Sequence, residues 1–195
     1  MCETTTSSVS STSSSSSRSD SISKTYILEP YEIKNILSNK FNIKNLSKQT
    51  IIEKMTEIIE DSVEHKSYGQ IKDSIFSNST IPSISIFDYL VRIEKYTKLE
   101  SSSLILALIY IDRIYDKNDF ELNEFNIHKL LFTSIIVAMK YNEDRIYDMK
   151  CYSKVGGISI KTLTKLEYTF LELIDYDLFV EKEEYKNYCN YFRNN

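Results

Sequence analysis

The side chains that ordinarily carry chemistry are few in this sequence and poorly spaced for it. The two histidines, His65 and His128, stand far apart, and neither has a cysteine or carboxylate arrangement that reads as a nucleophilic triad or a metal site. Both read as surface or capping residues. The three cysteines, Cys2, Cys151 and Cys189, make no C-x-x-C pair, which argues against zinc and against a disulfide framework and suits a reducing compartment. No glycine-rich phosphate loop is present. The paired glycines in "KVGGIS" have a local explanation instead. Gly156 or Gly157 can take the positive φ that ends one helix, while Ser159 caps the next. These residues point away from catalysis, with no metal and no cofactor.

What remains is a pattern suited to gripping another protein. In "VAMKYNEDRIYD" an apolar helix ends at Lys140 and runs directly into an acidic loop. Glu167 is placed as oddly: it lies one turn from Leu163 and one turn before Leu171, at the edge of an apolar stripe. Charges set beside an apolar contact fix the register of a partner helix. The plain alternative is a surface or intramolecular salt bridge, worth ~0–1 kcal/mol.

The elements that must position these residues are helical. The 195 residues hold only three glycines and two prolines, too few for a turn-rich β fold. Residues 1–25, with "TTTSSVSSTSSSSSRSDSIS", have little apolar surface to bury and read as a disordered serine-rich tail open to phosphorylation. A short helix is expected at Tyr31–Leu37. A longer one has Ile51, Ile52, Met55, Ile58, Ile59 and Val63 on one face and Ser47 or Thr50 as its cap. Residues 67–84 read as a loop. "SISIFDYLVRIEKYTK" opens with Ser85 and Asp88 in a capping-box pattern, with Ile86, Leu90, Ile93 and Thr97 on one side. "SSSLILALIYIDRIYDK" follows, capped by Ser101 or Ser102. "NIHKLLFTSIIVAMKYN", capped by Asn126, is apolar nearly all round and should be the central helix. "SIKTLTKLEYTFLELIDYDL" carries the stripe Leu163, Leu166, Phe170 and Ile174, and "EKEEYKNYCNYF" is a last, tyrosine-rich helix. The expected architecture is all-α, a bundle around one central helix.

Net charge is −4 and no basic stripe appears, so a nucleic-acid partner is not expected. The longest apolar run, Leu104 to Ile111, is far short of the roughly 20 residues of a membrane span, and the serine-rich start lacks the apolar core of a signal peptide. A cytoplasmic or nuclear location is expected, with no membrane.

Several stretches, taken in order, resemble one family. "ISIFDYLVRIEKY", "YIDR", "YSKVGG" and "LEYTFLELID" recur in this sequence and spacing in the cyclin box, closest to the P/U-type cyclins, the group of the yeast phosphate-pathway cyclin. The resemblance runs from about Ile51 to Tyr191. It implies a single cyclin box of five helices at 81–180. N-terminal accessory helices and a loop at 26–80 precede it, and a C-terminal helix at 181–195 follows. It also implies a function: a regulatory subunit that forms a heterodimer with a cyclin-dependent kinase, with an inhibitor or substrate protein as a further partner. The cyclin packs against the kinase's regulatory helix, whose position controls the lysine–glutamate pair needed for phosphoryl transfer. Phosphate signalling, cell cycle and morphogenesis are all pathways of the group. A cyclin-fold adaptor that binds partners without activating a kinase is the alternative.

The resemblance assigns residues too. Lys140 and Glu167 match the lysine and glutamate that reach the kinase. Tyr141, Tyr168, Leu171 and Tyr176 match positions packed on the regulatory helix. Asp144 resembles an acidic residue that pairs with an arginine of the kinase activation segment, standing in for an activating phosphate. Asp112 matches a fold-stabilising aspartate whose usual arginine partner falls near Pro82 here, so Arg92 is the expected substitute. The apolar substrate-docking patch of mitotic cyclins falls at "PSISIFD", where its pattern is not kept.

Overall fold

The computed structural model describes residues 47–64, 74–118 and 120–194. The serine-rich tail and the helix expected at Tyr31–Leu37 lie outside them. Among the described residues the regular elements are seven helices: α1 (Lys48–Glu64), α2 (Ile86–Thr97), α3 (Ser101–Lys117), α4 (Ile127–Asn142), α5 (Met149–Gly156), α6 (Ile160–Leu173) and α7 (Lys182–Asn194). The fold is all-α.

The helix boundaries follow from capping. Ser47 starts α1, its Oγ accepting from Thr50 N at 3.0 Å. Ser85 starts α2 by accepting from Asp88 N, while its hydroxyl donates to the Asp88 carboxylate at 2.8 Å. Ser159 caps α6 through Thr162 N. Two expected caps differ. Helix α3 is preceded by Glu100, which makes no side-chain cap of its own, so neither Ser101 nor Ser102 is the N-cap. Asn126 makes no cap bond to α4 and instead closes a turn, accepting from Asn123 N and donating to the Glu121 carbonyl.

Helix α4 is the axis of the bundle. Its residues from Leu130 to Met139 are all buried, against α3, α6, α2 and α5. The largest helix interface is α3 on α4. Small side chains permit it: Ala107 faces Ser134, whose Oγ donates to the Ala107 carbonyl at 2.7 Å. Each large aliphatic side chain sealed here contributes about 1.5–3 kcal/mol. His128 is buried rather than at the surface, with Nε2 on the Ile84 carbonyl at 2.9 Å.

The glycine pair divides its work. Gly157 carries the left-handed φ of +69° that terminates α5. Gly156 is helical, and its need is space: a Cβ there would run into the Phe132 ring of α4. Its carbonyl also accepts from the Tyr89 hydroxyl of α2 at 3.2 Å. Two losses of different origin are therefore expected. Gly156→Ala overpacks a core ring and should cost about 1–3 kcal/mol. Gly157→Ala strains only the backbone, at roughly 1 kcal/mol. Urea unfolding of both variants checks this order.

Candidate functional site

Because α4 is buried from Leu130 to Met139, it shows charge only at its two ends, at Lys129 in the first turn and again in the last turn. Lys140 occupies that turn, followed by the exposed Tyr141. The Lys140 Nζ reaches across to α6 and donates to Glu167 Oε1 at 2.5 Å, and lies 3.3 Å from Met149 Sδ at the start of α5. The Lys140 side chain is 35% exposed and that of Glu167 only 14%. The pair thus sits at a rim, where water screens it less than a free surface pair. The two charges singled out in sequence are brought together.

Helix α6 supplies the adjoining surface. Leu163, Leu166 and Phe170 are buried in the core. Ile160, Glu167 and Leu171 are spaced seven and four apart, so they form a stripe up its side, with exposed Tyr168 beside it. Leu171 is half-buried. The helix ends at Leu173, and Asp175 and Tyr176 then both adopt φ of 57°. Tyr176 N donates to the Leu171 carbonyl at 2.8 Å, which holds the turn. A left-handed non-glycine residue costs roughly 1–2 kcal/mol, and here the result is an exposed tyrosine at the end of the stripe. Burial, with the Asp177 carboxylate nearby, pushes the Tyr141 hydroxyl above its ordinary range, so it stays protonated.

Sequence reasoning missed two exposed aliphatic residues of this region, Ile160 and Ile146. Ile146 lies in the loop from Glu143 to Asp148 that follows α4. The signal was available for Ile160: it shares the helical face of Glu167.

The same loop contains the joint that fixes Lys140. Asn142 Nδ2 donates to Ser102 Oγ at 2.9 Å. Glu143 Oε1 accepts from Glu100 N at 2.8 Å and from Ser103 Oγ at 2.6 Å. The end of α4 therefore pins the start of α3, through the N–H of its N-cap residue Glu100 and the Ser102 and Ser103 hydroxyls. A carboxylate is well suited to a helix N-terminus. Burial raises the Glu143 carboxyl, and the Ser103 hydroxyl and Glu100 N–H pull it back. Asp144, next along, is exposed.

Asp112 and Arg92 do not meet, and the expected pair is corrected. Asp112 accepts from the Tyr188 hydroxyl of α7 at 2.6 Å. Arg92 donates to the Lys154 carbonyl at 3.1 Å, tying α2 to the end of α5. The aspartate's partner comes from the C-terminal helix, 76 positions away in the chain.

Among the described residues no group of histidine, cysteine and carboxylate side chains could hold a metal ion, and no helix is long and apolar enough to cross a membrane.

Comparison with known proteins fits this arrangement. The cyclin family profile matches residues 1–178. The chain belongs to the cyclin family. It is 43% identical over 119 residues to Cyclin-U4-3 of Arabidopsis thaliana, covering 60% of this chain and 54% of that one. Against Cyclin-U2-1 of the same plant it is 39% identical over 126 residues, or 64% and 57% of the two chains. Against the PHO85 cyclin-like protein psl1 of Schizosaccharomyces pombe it is 40% identical over 116 residues, 58% and 48% of the two. These relatives place it with the P/U-type cyclins, and the chain spans about half the length of the curated relatives it matches.

The joint generates a prediction. Glu143→Ala leaves the Glu100 N–H and the Ser103 hydroxyl without their partner. It should lower stability by about 1–2 kcal/mol, measured by denaturant unfolding.

Proposed function

We propose that this cyclin is the non-catalytic regulatory subunit of a cyclin-dependent protein kinase, which it binds and activates by packing against the kinase's regulatory helix. The observation that carries the reading is the Lys140–Glu167 pair, set at a rim between α4 and α6 beside the exposed Tyr141, Tyr168 and Tyr176. Aromatic anchors around a partly desolvated charge are the usual make-up of an interface hot spot. The resemblance of one relative to a PHO85 cyclin, stated in its name, supports the choice of partner class.

The internal ion pair is compatible with docking. A lysine ammonium has three donors and a carboxylate about four acceptor sites, so each side chain keeps capacity after their mutual bond. The pair holds both groups in place before the partner arrives, which lowers the entropy lost on binding. The stripe from Ile160 to Leu171 supplies apolar contact, and the charges set register. Asp144, exposed just beyond, is assigned the contact to an activation-segment arginine. The kinase, not this chain, performs phosphoryl transfer, which depends on where its regulatory helix is held.

Two measurements test the reading. A pull-down of tagged protein from its native cell, assayed for phosphoryl transfer, should yield an active cyclin-dependent kinase. Lys140→Ala and Glu167→Ala should each weaken the complex by ~2–5 kcal/mol. Binding unchanged by both removes their assigned role, and a bound but inactive kinase favours the adaptor alternative. Asp144→Ala should leave the complex intact and lower its activity. Full activity of that complex counts against the activation-segment contact.

A further inference from the structure

A second surface lies on other helices. Between α1, α3 and α7 an open groove of about 410 Å³ is lined by Ile58, Leu108, Asp112, Asn187, Tyr188 and Tyr191. Its walls are mostly apolar, and Tyr191 is 50% exposed. One carboxylate, Asp112, lies in it with the Tyr188 hydroxyl as its hydrogen-bond donor.

That carboxylate is under-compensated. Among the described residues no lysine or arginine forms an ion pair with it. Its neighbour Arg113 is engaged by Glu184 at 2.7 Å and by Asp177. Lys54, one turn from Ile58, donates to the Phe192 carbonyl at 2.8 Å. Asp116, one turn on from Asp112, adds negative charge, and burial with that repulsion pushes the Asp112 carboxyl up against the pull of Tyr188. A partly buried carboxylate held by one hydroxyl is improved by a cation that also covers the apolar walls.

The chemistry of that cation is restricted. A calcium-type ion takes six to eight oxygen ligands, and the groove offers one carboxylate. A lysine or arginine side chain fits better, because its aliphatic stem lies on Ile58 and Leu108 while its head meets Asp112. The rings of Tyr188 and Tyr191 favour a cation over their faces and an apolar neighbour beside it.

We propose that the groove between α1, α3 and α7 is a docking site for a short segment of a partner protein that presents a lysine or arginine next to an aliphatic or aromatic residue. This does not rest on the kinase reading. The charged rim at Lys140 belongs to α4 and α6, which do not line the groove.

The test uses the full chain and a panel of dye-labelled heptapeptides. Each has a central lysine or arginine flanked by leucine, isoleucine or phenylalanine, and a matched peptide carries glutamine at the centre. Fluorescence anisotropy should show saturable binding of basic members, weakening with salt, and at least about tenfold weaker binding of the glutamine control. Asp112→Asn should weaken the basic peptides by about tenfold as well, and Tyr191→Ala by about threefold. Tyr191 is half-exposed, so its variant decides the matter if Asp112→Asn fails to fold. No binding by any peptide overturns the proposal, as does binding that neither variant alters. Two other occupants would also overturn it. One is the chain's own residues 1–46, seen as nuclear Overhauser contacts to Tyr191 without peptide. The other is a second copy, seen as dimerisation abolished by Tyr191→Ala.

Discussion

The burial of α4 is the constraint on which the rest of this molecule depends. From Leu130 to Met139 every side chain is enclosed by neighbouring helices. A helix in that position cannot carry charge along its length, because an unpaired buried ion costs several kcal/mol. Charge is confined to its ends, and the buried Thr133 and Ser134 between them satisfy their hydroxyls on backbone carbonyls. At the C-terminal end Lys140, Tyr141, Asn142 and Glu143 emerge together, and each takes a different direction. Lys140 turns to α6, Tyr141 to the surface, and Asn142 and Glu143 to the start of α3. The proposed docking surface is therefore a consequence of how the core closes.

Rigidity at that point has a functional meaning. A lysine on a frayed helix end would lose rotamer entropy on meeting a partner. Here three bonds made by Asn142 and Glu143 secure the last turn, and Glu167 orients the ammonium itself. The turn after α6 stores a little strain in Asp175 and Tyr176. Packing of Ile174, which is fully buried between Phe170 and the left-handed pair, offsets it. Strained, over-determined residues at a contact surface are a recurrent feature of binding sites. In this molecule they bring a tyrosine to the same rim as the ion pair.

How legible this was in the sequence depended on the range of the interaction. The helices were readable because their apolar periods and the caps at Ser85 and Ser159 are local. Helix α4 was readable as central because it is apolar on every side. Lys140 and Glu167 stood out as charges at the margins of apolar faces. Glu143 did not, because its partners lie 40 and 43 positions earlier and no local rule connects them. The serines at 101 and 102 looked like caps, but Glu100 is the N-cap residue and a distant carboxylate holds its N–H. Asp112 likewise found Tyr188 rather than Arg92, since α7 packs on α3 and brings a hydroxyl within reach. His128 read as a surface or capping residue because imidazole is polar, yet it is buried with one ring nitrogen on the Ile84 carbonyl and the Tyr89 ring packed beside it. The serine-rich tail and the helix expected before α1 lie outside the described residues.

A tyrosine beside Asp112, where an arginine was expected, changes more than one bond. A guanidinium would neutralise the carboxylate and seal the space around it. A phenol donates one hydrogen bond, leaves the negative charge in place, and presents a ring edge instead. Stability there comes from ring burial and one short hydrogen bond, and the remaining acceptor capacity of the carboxylate faces an open, apolar groove. The contact that settles α7 on α3 thus leaves a carboxylate at the groove, the feature on which the proposed docking of a basic side chain rests. A fold-stabilising aspartate and a recognition carboxylate are, on this argument, one residue seen from its two sides.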